Sequence, residues 1–193
     1  MPSSSPSDPP EAKPPSAEAI LGIYVVLGSL MSFLVGRSPG TIAEVEELLP
    51  SVVVVCLFLV SYSVYDVMSS GLAKVKEGKA SFIFKDYKDW PARIPEEAYL
   101  AERAQMNQLE QMPCFLIGMT SFSVLVNGTV GALMGLIWVV LRRIYAAKYR
   151  ASAGKKMADK GLGGFTIPCY FILNTLLMGS VVQAVRWMAA SKM

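Results

Sequence analysis

Four apolar stretches constrain this chain more than anything else in it: Pro50 to Ser70, Met112 to Val126, Val130 to Leu141, and Thr166 to Met188. A fifth, Ala19 to Gly36, precedes them and carries no charge. A helix needs about 20 apolar residues to cross a bilayer. Inside lipid the backbone must satisfy its own polar groups. Helix is therefore expected even for Val52-Val53-Val54-Val55, a β-branched run that would favour a strand in water. With 53% of residues hydrophobic and 17% charged, the chain has too little charge to cover a soluble domain. The expectation is an all-α integral membrane protein. Residues 19–36 are long enough to span or to lie in the interface.

The remaining segments are punctuation. Residues 1–18 are a Pro/Ser-rich tail (MPSSSPSDPPEAKPPS at its start) with no basic leader, so they read as disordered and not as a signal peptide. Asn127-Gly128-Thr129 is a short uncharged turn, and the glycosylation sequon it spells lies too close to the membrane to be used. Cys56, Cys114 and Cys169 lie in separate apolar blocks, as dispersed small apolar residues would. The chain has no histidine, which removes His-based catalysis and the usual zinc and iron sites. No metal is expected, and a net charge of +3 gives no reason to expect nucleic acid.

The basic residues set the topology. Seven of the 18 Lys and Arg lie between Gly71 and Arg103, seven more lie between Arg142 and Lys160, and the Asn127 turn between them has none. Both basic segments belong on the cytosolic side and the turn on the other.

Two polar stripes stand out at the cytosolic ends of the helices. At ~100° per residue, Arg103, Asn107 and Glu110 share one face of a helix. Arg142, Tyr145 and Tyr149 share a face of the next. Ionisable groups at membrane depth are costly and face a partner or a wet cavity. Together these residues offer guanidinium forks for carboxylates and a carboxylate for an amine, a set suited to a small zwitterion with more than one carboxylate. The spacing alone also permits internal pairing, with Arg103 bridging Glu110 and the tyrosines as interface anchors.

The run Glu102-Arg103-Ala104-Gln105-Met106-Asn107-Gln108-Leu109-Glu110-Gln111-Met112-Pro113-Cys114-Phe115-Leu116 resembles the second-helix signature of the MAPEG family, the membrane-associated proteins of eicosanoid and glutathione metabolism. Arg142-x-x-Tyr145-x-x-x-Tyr149 resembles that family's third-helix motif. The resemblance covers roughly residues 50–188 and implies a four-helix membrane bundle of MAPEG type, to which residues 19–36 add an extra N-terminal helix. It further implies a homotrimer holding glutathione between subunits near the cytosolic face, with Arg103, Gln105, Asn107, Glu110, Arg142, Tyr145 and Tyr149 as its contacts.

The implied activity is that of a membrane glutathione transferase or peroxidase. It would activate glutathione as thiolate and act on lipophilic electrophiles or lipid hydroperoxides drawn from the bilayer. Enzymatic members commonly place an arginine seven to nine residues after the last tyrosine. Here Lys156, with Lys155 before it and Arg150 nearby, are the candidates for stabilising the thiolate, although an ammonium is a point charge and not a fork. The alternative is a non-catalytic lipid-binding member or a scaffold subunit of a larger complex. Gly131, Ala132 and Gly135 offer a small-residue surface for close subunit packing. The endoplasmic reticulum membrane is the expected location. The terminal Ser191-Lys192-Met193 resembles a peroxisomal address.

Overall fold

The computed structural model describes residues 17–39, 41–76, 96–153 and 161–191, and they are helical throughout with no strand among them. Helix α1 is Ala17–Val35 and α2 is Val45–Ser61. A π-helical segment, Tyr62–Val67, joins α2 without a break to α3, Met68–Lys76. Then follow α4, Glu96–Leu125, α5, Gly128–Arg150, and α6, Gly163–Ala190. Three spans are long and apolar enough to cross a membrane: Val45–Ala73, Gly128–Arg150 and Gly163–Ala190. Leu21–Val35 is a shorter apolar helix. Helix α4 stands apart because half of it, Glu96 to Gln111, is polar, and its apolar part is correspondingly short.

Helix ends follow from local chemistry. Glu47 Oε2 accepts the Glu44 N–H at 3.1 Å, closing the first turn of α2, where Glu46 and Glu47 also suit the positive end of the helix dipole. Asn127 caps α5 through its Oδ1, which accepts the Val130 N–H at 3.0 Å. The turn that reads as a sequon is thus built around a capping asparagine. The valine run lies in α2 as helix, as lipid requires. Helix α2 begins five residues before Pro50 and, with its π segment and α3, runs past Ser70.

The core is aromatic. Phe115 stacks on Trp138 with centroids 4.1 Å apart and planes 10° apart. Phe58 meets both rings edge-on, at 5.2 and 5.4 Å. All three are fully buried, with Met119, Phe122 and Leu176 around them. Gly131, Ala132 and Gly135 are buried in this packing. A Cβ on Gly135 would sit 2.6 Å from Met119 Sδ, and one on Gly131 would sit 2.6 Å from Ser123 Oγ. The small-residue surface expected to face another subunit is instead used inside the protomer, where it lets α4 approach α5. The cysteines divide: Cys169 is buried, but Cys56 and Cys114 are exposed on the apolar surface.

Helix α1 packs along α6. Tyr24 lies against Phe171, Gly28 against Met178 and Gly179, and Ser32 against Gln183, so the two helices run parallel. The end of α1 is closed by α6. Arg186 Nη1 donates to the Ser32 carbonyl at 2.5 Å and to Ser32 Oγ at 2.8 Å. Gln183 Nε2 donates to the Arg37 carbonyl at 2.7 Å. The last carbonyls of a helix lack intrahelical partners and carry the negative end of its dipole. A cation and an amide from α6 meet both needs at membrane depth.

Candidate functional site

The two polar stripes meet where α4 packs on α5. Leu100 and Ala104 on α4 bury against Tyr145, Ala146 and Tyr149 on α5. This orients the tyrosine edge of α5 toward α4. Asn107 Nδ2 donates to Tyr145 Oη at 3.1 Å. Tyr145 and Tyr149 lie 5.8 Å apart, ring to ring.

Arg142 is the floor of this arrangement. It is 1% exposed. Its Nε donates to Gln108 Oε1 at 2.9 Å and its Nη2 to the Asn107 carbonyl at 2.5 Å. Gln108 Nε2 returns a bond to the Arg142 carbonyl at 3.0 Å. The guanidinium carbon lies 4.8 Å from the Tyr145 ring centre and 5.7 Å from that of Trp138. All these partners are neutral, and no carboxylate among the described residues pairs with Arg142. A buried cation without an anion is costly. The π faces and carbonyl dipoles offset part of that cost.

The other members of the α4 stripe are differently placed. Arg103 and Gln105 are half-buried and Glu110 is exposed. None of the three makes a hydrogen bond or ion pair among the described residues, and Arg103 does not bridge Glu110. The Arg103–Glu110 bridge that the spacing alone allowed is absent among the described residues, whereas Arg142 and Tyr145 do pair internally. Gln111, next along α4, has its Oε1 buried without a partner. The structure therefore brings Asn107, Arg142, Tyr145 and Tyr149 into one cluster and leaves Arg103, Gln105 and Glu110 beside it with their polar groups uncommitted.

The proposed thiolate cations fall elsewhere. Lys155 and Lys156 lie outside the described residues. Arg150 points away from the tyrosine edge, and its Nη1 donates to Asp66 Oδ1 at 2.8 Å. Two residues of this region were not singled out by sequence as site residues. Gln108 sits within the quoted motif, but it turns ~100° off the stripe, toward α5. Asp66 is an acid inside an apolar block, which is itself a signal. Its partners, Arg143 and Arg150, lie some 80 residues away in sequence.

The profile of the MAPEG family matches residues 49–186. The chain belongs to the MAPEG family. An uncharacterized protein of Synechocystis sp. is 36% identical over 64 residues, an alignment covering 33% of this chain and 47% of that protein. The chain thus aligns with about half the length of this curated relative. The matched region runs from just inside α2 to near the end of α6 and contains both polar stripes. Helix α1 lies outside it.

Proposed function

We propose that this MAPEG protein is a membrane glutathione transferase or peroxidase, its pocket completed between the subunits of a homotrimer in the endoplasmic reticulum membrane. The observation that carries the reading is the state of Arg103 and Glu110. They lie seven residues apart on one face of α4, beside the Asn107–Tyr145–Arg142 cluster, and neither has a hydrogen-bond or ion-pair partner among the described residues. A guanidinium fork fits a carboxylate of glutathione and a carboxylate fits its amine. Helix α2, whose outer face is largely uncovered by the protomer, supplies apolar surface for neighbouring subunits and lipid.

The chemistry is thiol activation. A free thiol has a pKa of ~8.5, and the thiolate is the nucleophile. Lowering that value by two units takes ~2.7 kcal/mol of differential stabilisation, which a cation in a low-dielectric pocket provides. The thiolate sulfur then forms a bond to an electrophilic carbon and the leaving group departs with the bonding electrons. With a lipid hydroperoxide, sulfur takes the distal oxygen, the lipid leaves as its alcohol, and a second glutathione reduces the sulfenic acid to give disulfide and water.

Arg103→Ala is expected to weaken glutathione binding about tenfold or more, since a charge-assisted hydrogen bond of ~1.5–3 kcal/mol is lost. Equilibrium binding to detergent-purified protein, with ultraviolet thiolate absorbance read on the same samples, checks this. An unchanged affinity in Arg103→Ala rejects the assigned site, and the absence of a thiolate signal at saturation rejects catalysis. The second reading, a non-catalytic lipid-binding member or scaffold subunit, is favoured by one specific observation: Arg150 is already held by Asp66.

The topology that accompanies this reading follows from α1. If α6 leaves the basic, cytosolic side at Gly163, its parallel neighbour α1 starts on that side too. The start of α1 at Ala17 is then on the cytosolic side, and the end of α6 at Ala190 is on the opposite side. Protease treatment of sealed microsomes should remove an N-terminal tag and leave a C-terminal tag protected. Digestion of the C-terminal tag would overturn the arrangement.

A further inference from the structure

A second charged cluster lies at the same end of the bundle, outside the stripes. Asp66 is fully buried. Arg143 Nη2 contacts its Oδ2, and Arg150 Nη1 lies 2.8 Å from its Oδ1. Arg143 also donates from Nη1 to the Ser61 carbonyl at 3.2 Å. Ser61 is the residue at which α2 gives way to the π-helical segment, and Asp66 lies inside that segment. A π turn adds one residue to the helical ladder, so every later side chain is turned about 100° from its α-helical bearing. Here that shift coincides with Asp66 pointing into the protomer.

On α5 the two partners share a face, being seven residues apart. That face lies roughly a third of a turn from the one carrying Arg142, Tyr145 and Tyr149. The cytosolic end of α5 is thus held from two directions: by Gln108 and Asn107 of α4 on one side, and by Asp66 of the α2 rod on the other. The end of α5 carries four cations, Arg142, Arg143, Lys148 and Arg150. Asp66 takes two of them. Lys148 lies over the Phe165 ring, 4.8 Å from its centre. Arg142 alone is turned toward the α4 stripe.

We infer that Asp66 is a positioning residue for the glutathione pocket. It fixes the rotation of α5 through Arg143 and Arg150, so that Tyr145, Tyr149 and Arg142 stay turned toward Asn107, and it withholds both arginines from the thiol. This rests on the glutathione reading given above and adds to it a residue from α2 that never touches the ligand. An acid buried at membrane depth has a reason to be there when it orders a polar site, and a charge-assisted hydrogen bond from Arg150 with an ion-pair contact from Arg143 gives it the hold to do so.

The test uses the full-length protein in detergent. Arginine labelling by phenylglyoxal, mapped by peptide mass spectrometry, is compared between wild type and Asp66→Asn. Arg150 should label several-fold faster in Asp66→Asn, and equal rates overturn the clamp whether or not glutathione binds. Reduced glutathione is then titrated. Asp66→Asn should weaken binding about tenfold, with Asp66→Glu close to wild type, because the charge and not the shape is required. Faster labelling with unchanged affinity makes the clamp purely structural and overturns the positioning role.

Arg150→Gln, which leaves Asp66 its ion-pair contact with Arg143, covers the case in which Asp66→Asn does not fold. Its affinity should fall several-fold, while the fraction of bound glutathione present as thiolate stays at the wild-type level. Loss of the thiolate band at saturation would make Arg150 the thiol's own cation and overturn the proposal. Wild-type protein that binds no glutathione sinks the glutathione reading, and the pocket role with it; the labelling then decides the clamp by itself.

Discussion

Gln108→Leu is expected to destabilise the protein by about 3 kcal/mol or more, through a single uncharged side chain. Gln108 is fully buried and gives Arg142 Nε its acceptor at 2.9 Å, while its own amide meets the Arg142 carbonyl at 3.0 Å. Leucine fills nearly the same space and removes both bonds. The guanidinium would then be buried with one acceptor fewer and no carboxylate of the described residues beside it, and removing one partner of a buried charge is the costly case. A double variant, Gln108→Leu with Arg142→Leu, should be less destabilised than Gln108→Leu alone, because no unpaired charge remains. Thermal unfolding of the detergent-purified variants, followed by loss of the monodisperse species, checks both statements. A Gln108→Leu protein as stable as wild type would mean that Arg142 is not held in this way.

The second large effect belongs to α1. A Cβ on Gly28 would lie 2.7 Å from the Met178 carbonyl carbon and 2.9 Å from the Gly179 nitrogen. These are backbone atoms and cannot turn aside, so Gly28→Leu must push α1 off α6. The expected loss is about 2–3 kcal/mol from overpacking. To it is added the exposure to lipid of Gln183, which is fully buried and bonded to Ser32 and the Arg37 carbonyl. Gly22→Leu is the internal control. It lies on the same helix, but a Cβ there meets nothing within 4 Å, so its effect should stay within about 0.5 kcal/mol. Equal melting temperatures for the two variants would show that α1 does not dock through Gly28.

Much of the fold was legible because lipid simplifies the rules. An apolar stretch of sufficient length has one backbone solution, so the α2, α5 and α6 spans could be placed from hydropathy alone. The pairing of the two stripes was legible in part. Arg142, Tyr145 and Asn107 do come together, but periodicity says only which residues share a face, not which other face they meet. For that reason Arg142, read as an open fork, is instead a buried floor, while Arg103 and Glu110 keep their polar groups uncommitted among the described residues. Arg150 is the plainest case. It stood beside Lys155 and Lys156 as a candidate thiol-side cation, yet its partner is Asp66, 84 residues away.

The membrane class, the helical state of the spans and the MAPEG motifs are legible residue by residue, because each depends on neighbours within one or two helical turns. Packing alone reveals that Gly131 and Gly135 serve the protomer's own core, that α1 lies parallel to α6 with its end closed by Gln183 and Arg186, and that Asp66 contacts α5 through Arg143 and Arg150. Each of these pairs residues far apart in the chain. A buried glycine, amide or carboxylate carries no mark of its partner until packing brings the two faces within hydrogen-bond reach.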